Sequence, residues 1–221
     1  MKLLVNALLK FVSGLAAVGL LLFLPAGTLR YWNAWLFSAL LFLPMLMVGI
    51  LLFLKAPELL EKRLNTREQE GMQKAVVALS ALTFCLGFVL AGLDFRFGWS
   101  HMPVWLVAAA AVLQLLSYGL YAEVMRENAY LSRTVEIQEN QKVIDTGLYG
   151  VVRHPMYLAV TLLFLTIPLV LGSWPCFVLF LCTPALLVLR IRNEEQVLER
   201  GLPGYTEYQQ RVCWRLIPFI W

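Results

Sequence analysis

Residues 156–189 read MYLAVTLLFLTIPLVLGSWPCFVLFLCTPALLVL and include no charged side chain. Gly172-Ser173, followed closely by Pro175, divides this stretch into two apolar runs. At about 1.5 Å per helical residue, each run is close to the length that crosses the hydrocarbon core of a bilayer. A connection of only two residues forces the two helices to run antiparallel. The sequence therefore predicts a transmembrane helical hairpin, and the polar segments on either side of it must meet at one membrane surface.

The composition of the whole chain is that of an integral membrane protein. Of its 221 residues, 60% are hydrophobic and 14% are charged, and the mean hydropathy is +0.72. Soluble domains have about 45–50% apolar and about 25% charged residues. Six apolar stretches approach the length of a membrane span, at residues 11–26, 32–54, 75–93, 103–121, 156–171 and 174–189. We therefore predict an all-α, polytopic membrane protein with about six transmembrane helices.

The positive charges orient the predicted helices. If the N-terminus is cytoplasmic, 16 of the 18 Lys and Arg residues fall on the cytoplasmic side, and only Arg30 and Arg96 fall outside. Such an excess is typical of cytoplasmic loops. We therefore expect both termini, and the polar segments that flank the hairpin, to lie in the cytoplasm. The net charge of +4 is then a topology signal rather than an indication of nucleic-acid binding.

The chain divides into two parts of different character. Residues 1–125 contain four spans with few polar side chains at membrane depth, which is unlike a transporter or a channel. Residues 126–221 contain the hairpin and its two polar segments, 126–153 and 190–221. We predict that the first part is a helical scaffold and that the second part carries the functional site.

Several common functional motifs are missing from the sequence. The four cysteines include no C-x-x-C pair, which indicates buried thiols rather than a disulfide framework. With only two histidines and no Cys/His cluster, a metal site is not expected. The chain has no Walker A loop, Rossmann glycine fingerprint or G-x-S-x-G elbow. These observations argue against phosphoryl transfer and the common hydrolase reactions.

The residues before the fifth span could bind an anion. Pro155 suits the first turn of a helix, where its missing N–H has no cost, and His154 would then lie at the helix cap. The unpaired N–H groups and the positive dipole end of the helix, with Arg153 beside them, form an anion-binding arrangement. Alternatively, Arg153 and His154 only anchor the helix end among lipid headgroups.

The end of the sixth span could bind a cation or a hydroxyl group. Arg190 and Glu194 are four residues apart and share a helix face. One interpretation is an intrahelical ion pair, which contributes little. However, Glu194 and Glu195 would gain nothing from the negative dipole at the C-terminal end of this helix, which suggests that they serve a ligand. Together with the donor-rich start of the fifth span, they suit a zwitterionic cofactor.

The sequence from about residue 137 onward resembles the isoprenylcysteine carboxyl methyltransferase family and related membrane methyltransferases. The order and spacing of the shared motifs carry this resemblance. They are Gly147-x-Tyr149, Arg153-His154-Pro155-x-Tyr157, Glu194-Glu195-x-x-Leu198, Gly204-Tyr205-x-x-Tyr208 and Arg215-x-x-Pro218-Phe219.

The resemblance implies a cytoplasmic pocket for S-adenosyl-L-methionine, with residues 126–221 as the cofactor-binding and catalytic region. Arg190 would bind the substrate, and Arg190 and Glu194 would be the catalytic residues. Arg153, Arg192 and Glu195 are further candidates. The implied cofactor contacts are Gln141, Lys142, Val143, Ile144, Tyr149, His154, Pro155, Tyr157 and Glu194.

The implied reaction is carboxyl methylation of an isoprenylcysteine-like or other lipidic substrate that enters from the bilayer. A carboxylate is ionised at neutral pH, its pKa being about 3.5, so it needs no general base. An arginine such as Arg190 can hold it in a bidentate manner. Three alternatives remain. They are amine methylation of a phospholipid headgroup, a nicotinamide-dependent reductase of the sterol-reductase type, which has a related Arg-His-Pro hairpin ending, and a membrane scaffold without enzymatic activity.

Overall fold

The computed structural model describes residues 2–64, 71–131, 134–135 and 137–221, and in this part of the chain it contains helices and no strand. The all-α prediction is confirmed. In chain order the helices are α1 Lys2–Ala26, α2 Trp32–Lys55, α3 Pro57–Leu64, α4 Gly71–Phe97, α5 Val104–Glu127, α6 Pro155–Leu171, α7 Trp174–Phe180, α8 Thr183–Gly201 and α9 Tyr205–Arg211, with a 3-10 turn at Gly147–Gly150.

Within the described residues, five apolar helical stretches are long enough to cross a membrane. They are α1, α2, α4, α5 and the run Trp174–Gly201, which combines α7 and α8. α6 is also apolar but has 17 residues, at the lower end of the roughly 17–25 residues that a span requires. The prediction of a polytopic membrane protein is confirmed, and α6 corresponds to the fifth predicted span. Arg67 and Arg133, which belong to the predicted cytoplasmic charges, lie outside the described residues.

The turn of the hairpin has the two-residue length that the sequence predicts. Gly172 ends α6 with a φ of 76°, in the left-handed region that favours glycine. Ser173 is the N-cap of α7, and its hydroxyl accepts a hydrogen bond from the backbone N–H of Cys176. α6 and α7 therefore leave the turn as antiparallel neighbours that pack on each other.

Two side chains at the start of α2 hold the end of α6. The Tyr31 hydroxyl donates to the carbonyl of Leu171 at 2.6 Å, and Asn33 Nδ2 donates to the carbonyl of Val170 at 2.8 Å. Both bonds satisfy carbonyls that the last turn of a helix leaves without an intrahelical partner. All four residues are buried. The N-terminal half of the chain therefore fixes the position of the hairpin turn.

The sixth predicted span is not one continuous helix. α7 ends at Phe180 and α8 begins at Thr183. Pro184 has no N–H to donate to the Phe180 carbonyl, and this interrupts the helix. The Thr183 hydroxyl donates to that carbonyl instead, at 2.7 Å. A side chain thus replaces the backbone bond that the proline removes.

The expectation that Glu194 and Glu195 lie at the C-terminal end of a helix is wrong. α8 continues past them to Gly201. The apolar pattern ends near residue 189, but the Arg, Glu and Gln residues that follow favour a helix and prolong it. The helix dipole therefore does not disfavour these two carboxylates, and the contacts of their side chains explain their positions. The boundary predicted after residue 125 falls in the last turn of α5, and the division of the chain into two parts remains a prediction.

Close approach between helices depends on two glycines of α4. A Cβ at Gly92 would lie 2.6 Å from the carbonyl oxygen of Leu22 on α1, and a Cβ at Gly87 would lie 2.3 Å from the ring of Phe180 on α7. Leu22 and Phe180 are fully buried in the same apolar core. α4 can therefore pack tightly between α1 and α7 because these two positions carry no side chain.

We expect Gly92→Ala to lower the free energy of unfolding by about 1–3 kcal/mol, because its methyl group would overlap a backbone oxygen that cannot move aside easily. The matched control is Gly119→Ala in α5, where a Cβ meets nothing within 4 Å. This control should be neutral or should stabilise by about 0.4–1 kcal/mol. Thermal unfolding of the detergent-solubilised variants measures both effects, and equal destabilisation by the two substitutions would contradict the prediction.

Candidate functional site

The two polar segments meet around the start of α6, as the hairpin geometry predicts. Between them lies an open pocket, with about 850 Å³ of space counted together with the open solvent at its mouth. Its walls come from the segment between α5 and α6, the first turn of α6, α8 and α9. The pocket therefore forms where residues far apart in the sequence come together.

Most of the residues predicted from the sequence line this pocket. They are Gln141, Lys142, Val143, Ile144, Tyr149, Arg153, His154, Tyr157, Arg190 and Glu194. Three others do not. Pro155 is buried as the first residue of α6, Arg192 is exposed two residues away from both Arg190 and Glu194, and Glu195 is buried behind the pocket wall. The shared location is an observation, whereas the roles of these residues remain predictions.

A single phenol connects Arg190 to Glu194. The Tyr157 hydroxyl accepts a hydrogen bond from Arg190 Nε at 3.0 Å and donates one to Glu194 Oε2 at 2.5 Å. Tyr157 comes from the first turn of α6, and the two charged residues come from successive turns of α8. The three side chains therefore place a cation, a hydroxyl and a carboxylate side by side in the pocket.

Glu195 faces the opposite direction and is surrounded by cationic groups. Its Oε1 accepts a bond from Arg153 Nε at 2.8 Å and lies 3.3 Å from His154 Nε2, and its Oε2 accepts a bond from Arg215 Nε at 2.7 Å. The side chains of Arg153 and Glu195 are only 5% and 4% exposed. The guanidinium groups of Arg153 and Arg215 therefore neutralise the buried carboxylate, and Arg153 Nε points to it rather than to solvent.

The backbone at the start of α6 is paired with the C-terminal segment. The N–H of Arg153 donates to the carbonyl of Trp214 at 2.9 Å, and the N–H of His154 donates to the carbonyl of Arg215 at 2.8 Å. Within the first turn, the N–H groups of Tyr157 and Leu158 both reach the His154 carbonyl. Most of the donors that were expected to face an anion therefore have partners inside the protein.

Glu127, which sequence analysis does not single out, holds the turn before α6. Both of its carboxylate oxygens accept a bond from the N–H of Leu148, at 3.0 and 3.2 Å. Gly147 has a φ of 55°, and a Cβ on it would overlap the Glu127 carboxylate. The left-handed glycine thus lets the carboxylate approach the backbone. Gly147 is part of the recognised motif, but nothing in the sequence indicates its partner.

The sequence does not assign the remaining pocket residues to the site, although Leu198, Tyr205 and Tyr208 belong to the recognised motifs. Leu198 lies four residues after Glu194 on the same face of α8, so the helical period could have identified it. Asn128, Leu131 and Val135 lie in irregular backbone, where no period applies. The lining residues in question are Asn128, Tyr130, Leu131, Thr134, Val135, Met156, Leu198, Leu202, Tyr205 and Tyr208.

Three tyrosines of the pocket, Tyr149, Tyr205 and Tyr208, are neutral phenols. Burial is the main cause that raises the pKa values of Tyr149, Tyr205 and Tyr208 above the ordinary value. At neutral pH each hydroxyl can therefore donate a hydrogen bond. Tyr208 donates to the carbonyl of Tyr149 at 2.7 Å, and the Tyr149 hydroxyl accepts a bond from Asn128 Nδ2 at 3.0 Å. These bonds fasten α9 to the 3-10 turn that precedes α6.

Two glutamine side chains make hydrogen bonds that the sequence does not predict. Gln141 lines the pocket, but its side-chain oxygen accepts a bond from the Gln138 N–H at 2.9 Å and so stabilises the loop. Gln73, on α4, is fully buried and donates to Asn193 Oδ1 at 2.7 Å and to the Arg190 carbonyl at 3.2 Å. A helix that sequence analysis treats as scaffold therefore contacts the site helix directly.

In the described ranges no cluster of three or more His, Cys, Asp or Glu side chains could hold a metal ion.

We expect Glu195→Gln to destabilise the protein by about 3–5 kcal/mol, because it leaves the buried Arg153 guanidinium without a counter-charge. The neighbouring substitution Glu194→Gln is the matched control, and it should cost much less because Glu194 faces the pocket. Thermal unfolding in detergent without ligand distinguishes the two. Similar losses for both variants would show that Glu195 is not the structural centre of this region.

Two comparisons with known proteins find similarities to this chain. Residues 104–203 match the phospholipid methyltransferase family, and this stretch contains α5 to α8. A delta(14)-sterol reductase from Mus musculus is 30% identical over 91 residues, which are 40% of this chain and 22% of the reductase. The chain thus aligns with about a fifth of the length of that curated relative. From α5 to α8 this protein is similar to phospholipid methyltransferases, and neither match is to an enzyme of isoprenylcysteine.

Proposed function

We propose that this protein is an integral-membrane methyltransferase that uses S-adenosyl-L-methionine to methylate a lipidic acceptor. The observation that carries this proposal is the pocket in which Tyr157 joins Arg190 to Glu194, since it lies within the stretch that matches the phospholipid methyltransferase family. Its location at one end of a transmembrane hairpin suits an acceptor that enters from the bilayer.

The chemical groups of the pocket fit the proposed cofactor. Its walls include the carboxylate of Glu194 and the cation of Lys142, which suit an amino-acid zwitterion. They also include apolar side chains such as Val143 and Leu198, which suit the flat face of a nucleoside base. When bound, the cofactor would supply a methyl group on a positively charged sulfur, and transfer of that methyl to the acceptor leaves S-adenosylhomocysteine.

The residues of the chain would position the reactants rather than form covalent bonds with them. Arg190 would hold an anionic acceptor and aim one of its oxygens, and Glu194 would bind an amino or hydroxyl group of the cofactor. Tyr157 fixes the direction of both side chains through its hydroxyl. The buried aromatic walls would keep water away from the reacting atoms.

We propose a carboxylate as the acceptor group, in an isoprenylcysteine-like or other lipidic substrate. A carboxylate needs no general base, and the positive charge of Arg190 attracts it. A phospholipid amine is the second candidate, and the family match favours it. An amine must lose a proton before it attacks, and an arginine is a poor neighbour for an ammonium group.

A nicotinamide-dependent reductase is the second candidate function. The similarity to the mouse delta(14)-sterol reductase favours it, and that alignment is confined to 91 residues.

We also propose that the pocket and both termini face the cytoplasm, and the distribution of Lys and Arg residues supports this orientation.

The experiment that tests the proposed function is calorimetric titration of the purified protein with S-adenosylhomocysteine and with NADPH. We expect saturable binding of S-adenosylhomocysteine, weakened about 10- to 100-fold by Glu194→Gln, because a bond between a charged group and the ligand is lost. The matched control is Glu199→Gln, an exposed position on α8 outside the pocket, which should leave affinity unchanged. Binding of NADPH alone would contradict the methyltransferase proposal.

Arg190→Lys should separate substrate orientation from cofactor binding. We expect kcat to fall about 10- to 100-fold, because a lysine keeps the charge but loses the bidentate geometry and the Nε bond to Tyr157. The affinity for S-adenosylhomocysteine should stay within about threefold. Methyl transfer to a small farnesylated cysteine and to phosphatidylethanolamine, assayed in parallel, also identifies the acceptor. Unchanged turnover with either acceptor would show that Arg190 does not orient it.

A further inference from the structure

The pocket changes from charged to apolar along one face of α8. Arg190, Glu194 and Leu198 are each four residues apart, so they lie in one row, and all three line the pocket. Leu202, beyond the end of the helix, also lines it. A ligand in this pocket therefore meets ionic groups at one end and aliphatic side chains at the other.

Tyr205 lies at the apolar end. It is 4% exposed and belongs to a small core with Leu202, Tyr208 and Val212, against which Val143 and Leu198 pack. Tyr205 is one of the residues that line the pocket. The position of the ring is therefore fixed by packing before any ligand arrives.

The Tyr205 hydroxyl has no hydrogen-bond partner among the described residues, although it is buried. The four other tyrosines that line the pocket all have one: Tyr130 donates to the Asn140 carbonyl, Tyr157 to Glu194 and Tyr208 to the Tyr149 carbonyl, and Tyr149 accepts from Asn128. A buried polar group without a partner is costly and calls for an explanation. A hydroxyl on a pocket wall is explained by a ligand that completes the bond.

We propose that the Tyr205 hydroxyl recognises the nucleoside half of the cofactor, whose base lies between the aliphatic side chains at this end of the pocket. The inference rests on the proposed function, since it requires a ligand that contains adenosine. A phenol can donate to a ring nitrogen or accept from an amino group of such a base, while the aliphatic walls cover the faces of the base. The amino-acid half then extends toward Glu194.

The test compares Tyr205→Phe with Tyr208→Phe, since each substitution removes one oxygen from neighbouring rings. Tyr205→Phe should weaken S-adenosylhomocysteine binding about three- to tenfold, the effect of one hydrogen bond, and should weaken adenosine by the same factor. It should leave the unfolding temperature of the ligand-free protein unchanged or higher, because it removes an unpaired buried group. Tyr208→Phe should lower that temperature, because it breaks the bond to the Tyr149 carbonyl. Calorimetry, competition by adenosine and thermal unfolding in detergent give the three values.

The outcomes separate this inference from the proposed function. Wild-type affinity for S-adenosylhomocysteine in the Tyr205→Phe variant overturns the inference and leaves the proposed function intact. A loss of affinity for S-adenosylhomocysteine without a loss for adenosine overturns the assignment to the nucleoside half. If the wild-type protein binds only NADPH, the proposed function fails, and the same comparison made with NADPH, which also contains adenosine, still decides the role of Tyr205.

Discussion

The rest of the site depends on the buried ion pairs that Glu195 forms with Arg153 and Arg215. An ionised carboxylate is very costly to bury unless cations and hydrogen bonds compensate it. Here Arg153 and His154 approach from the segment before α6, and Arg215 approaches from the segment after α9. One side chain therefore joins three segments that are distant in the sequence. Because the N–H groups of Arg153 and His154 also bond to the C-terminal segment, that segment and the start of α6 form one unit.

Much of the architecture is predictable from the sequence, because it follows from local rules. The two-residue turn at Gly172-Ser173 forces the hairpin, the hairpin brings the polar segments together, and four-residue spacing puts Arg190 and Glu194 on one face. The contacts that the sequence does not predict join residues that no helical or strand spacing relates. The Glu127 carboxylate accepts a hydrogen bond from the N–H of Leu148, 21 residues later in the sequence. The Thr183 hydroxyl donates to the Phe180 carbonyl, which has no backbone donor because residue 184 is a proline. A partner in irregular backbone has no spacing rule by which it can be predicted.

Three successive residues of α8 show how one helix serves both stability and the site. An α-helix turns by about 100° per residue, so neighbours must face different surroundings. Asn193 accepts a bond from Gln73 on α4, Glu194 meets Tyr157 in the pocket, and Glu195 meets the arginines behind it. Contacts on two sides therefore fix the rotation of the helix, and the third side is presented to the pocket. The α4 scaffold helix contributes to this rotation although it does not line the pocket.

The same arrangement decides which charge a ligand meets. Two adjacent carboxylates would repel each other, but two arginines neutralise Glu195, so the negative charge that reaches the pocket is that of Glu194. The positive charge of Arg190 lies one turn away, and the Tyr157 hydroxyl stands between the two. The hydroxyl can serve both groups because it accepts a hydrogen bond from Arg190 and donates one to Glu194. The stability of this region and the charges that the pocket presents thus have one origin, the different directions in which two neighbouring glutamates point.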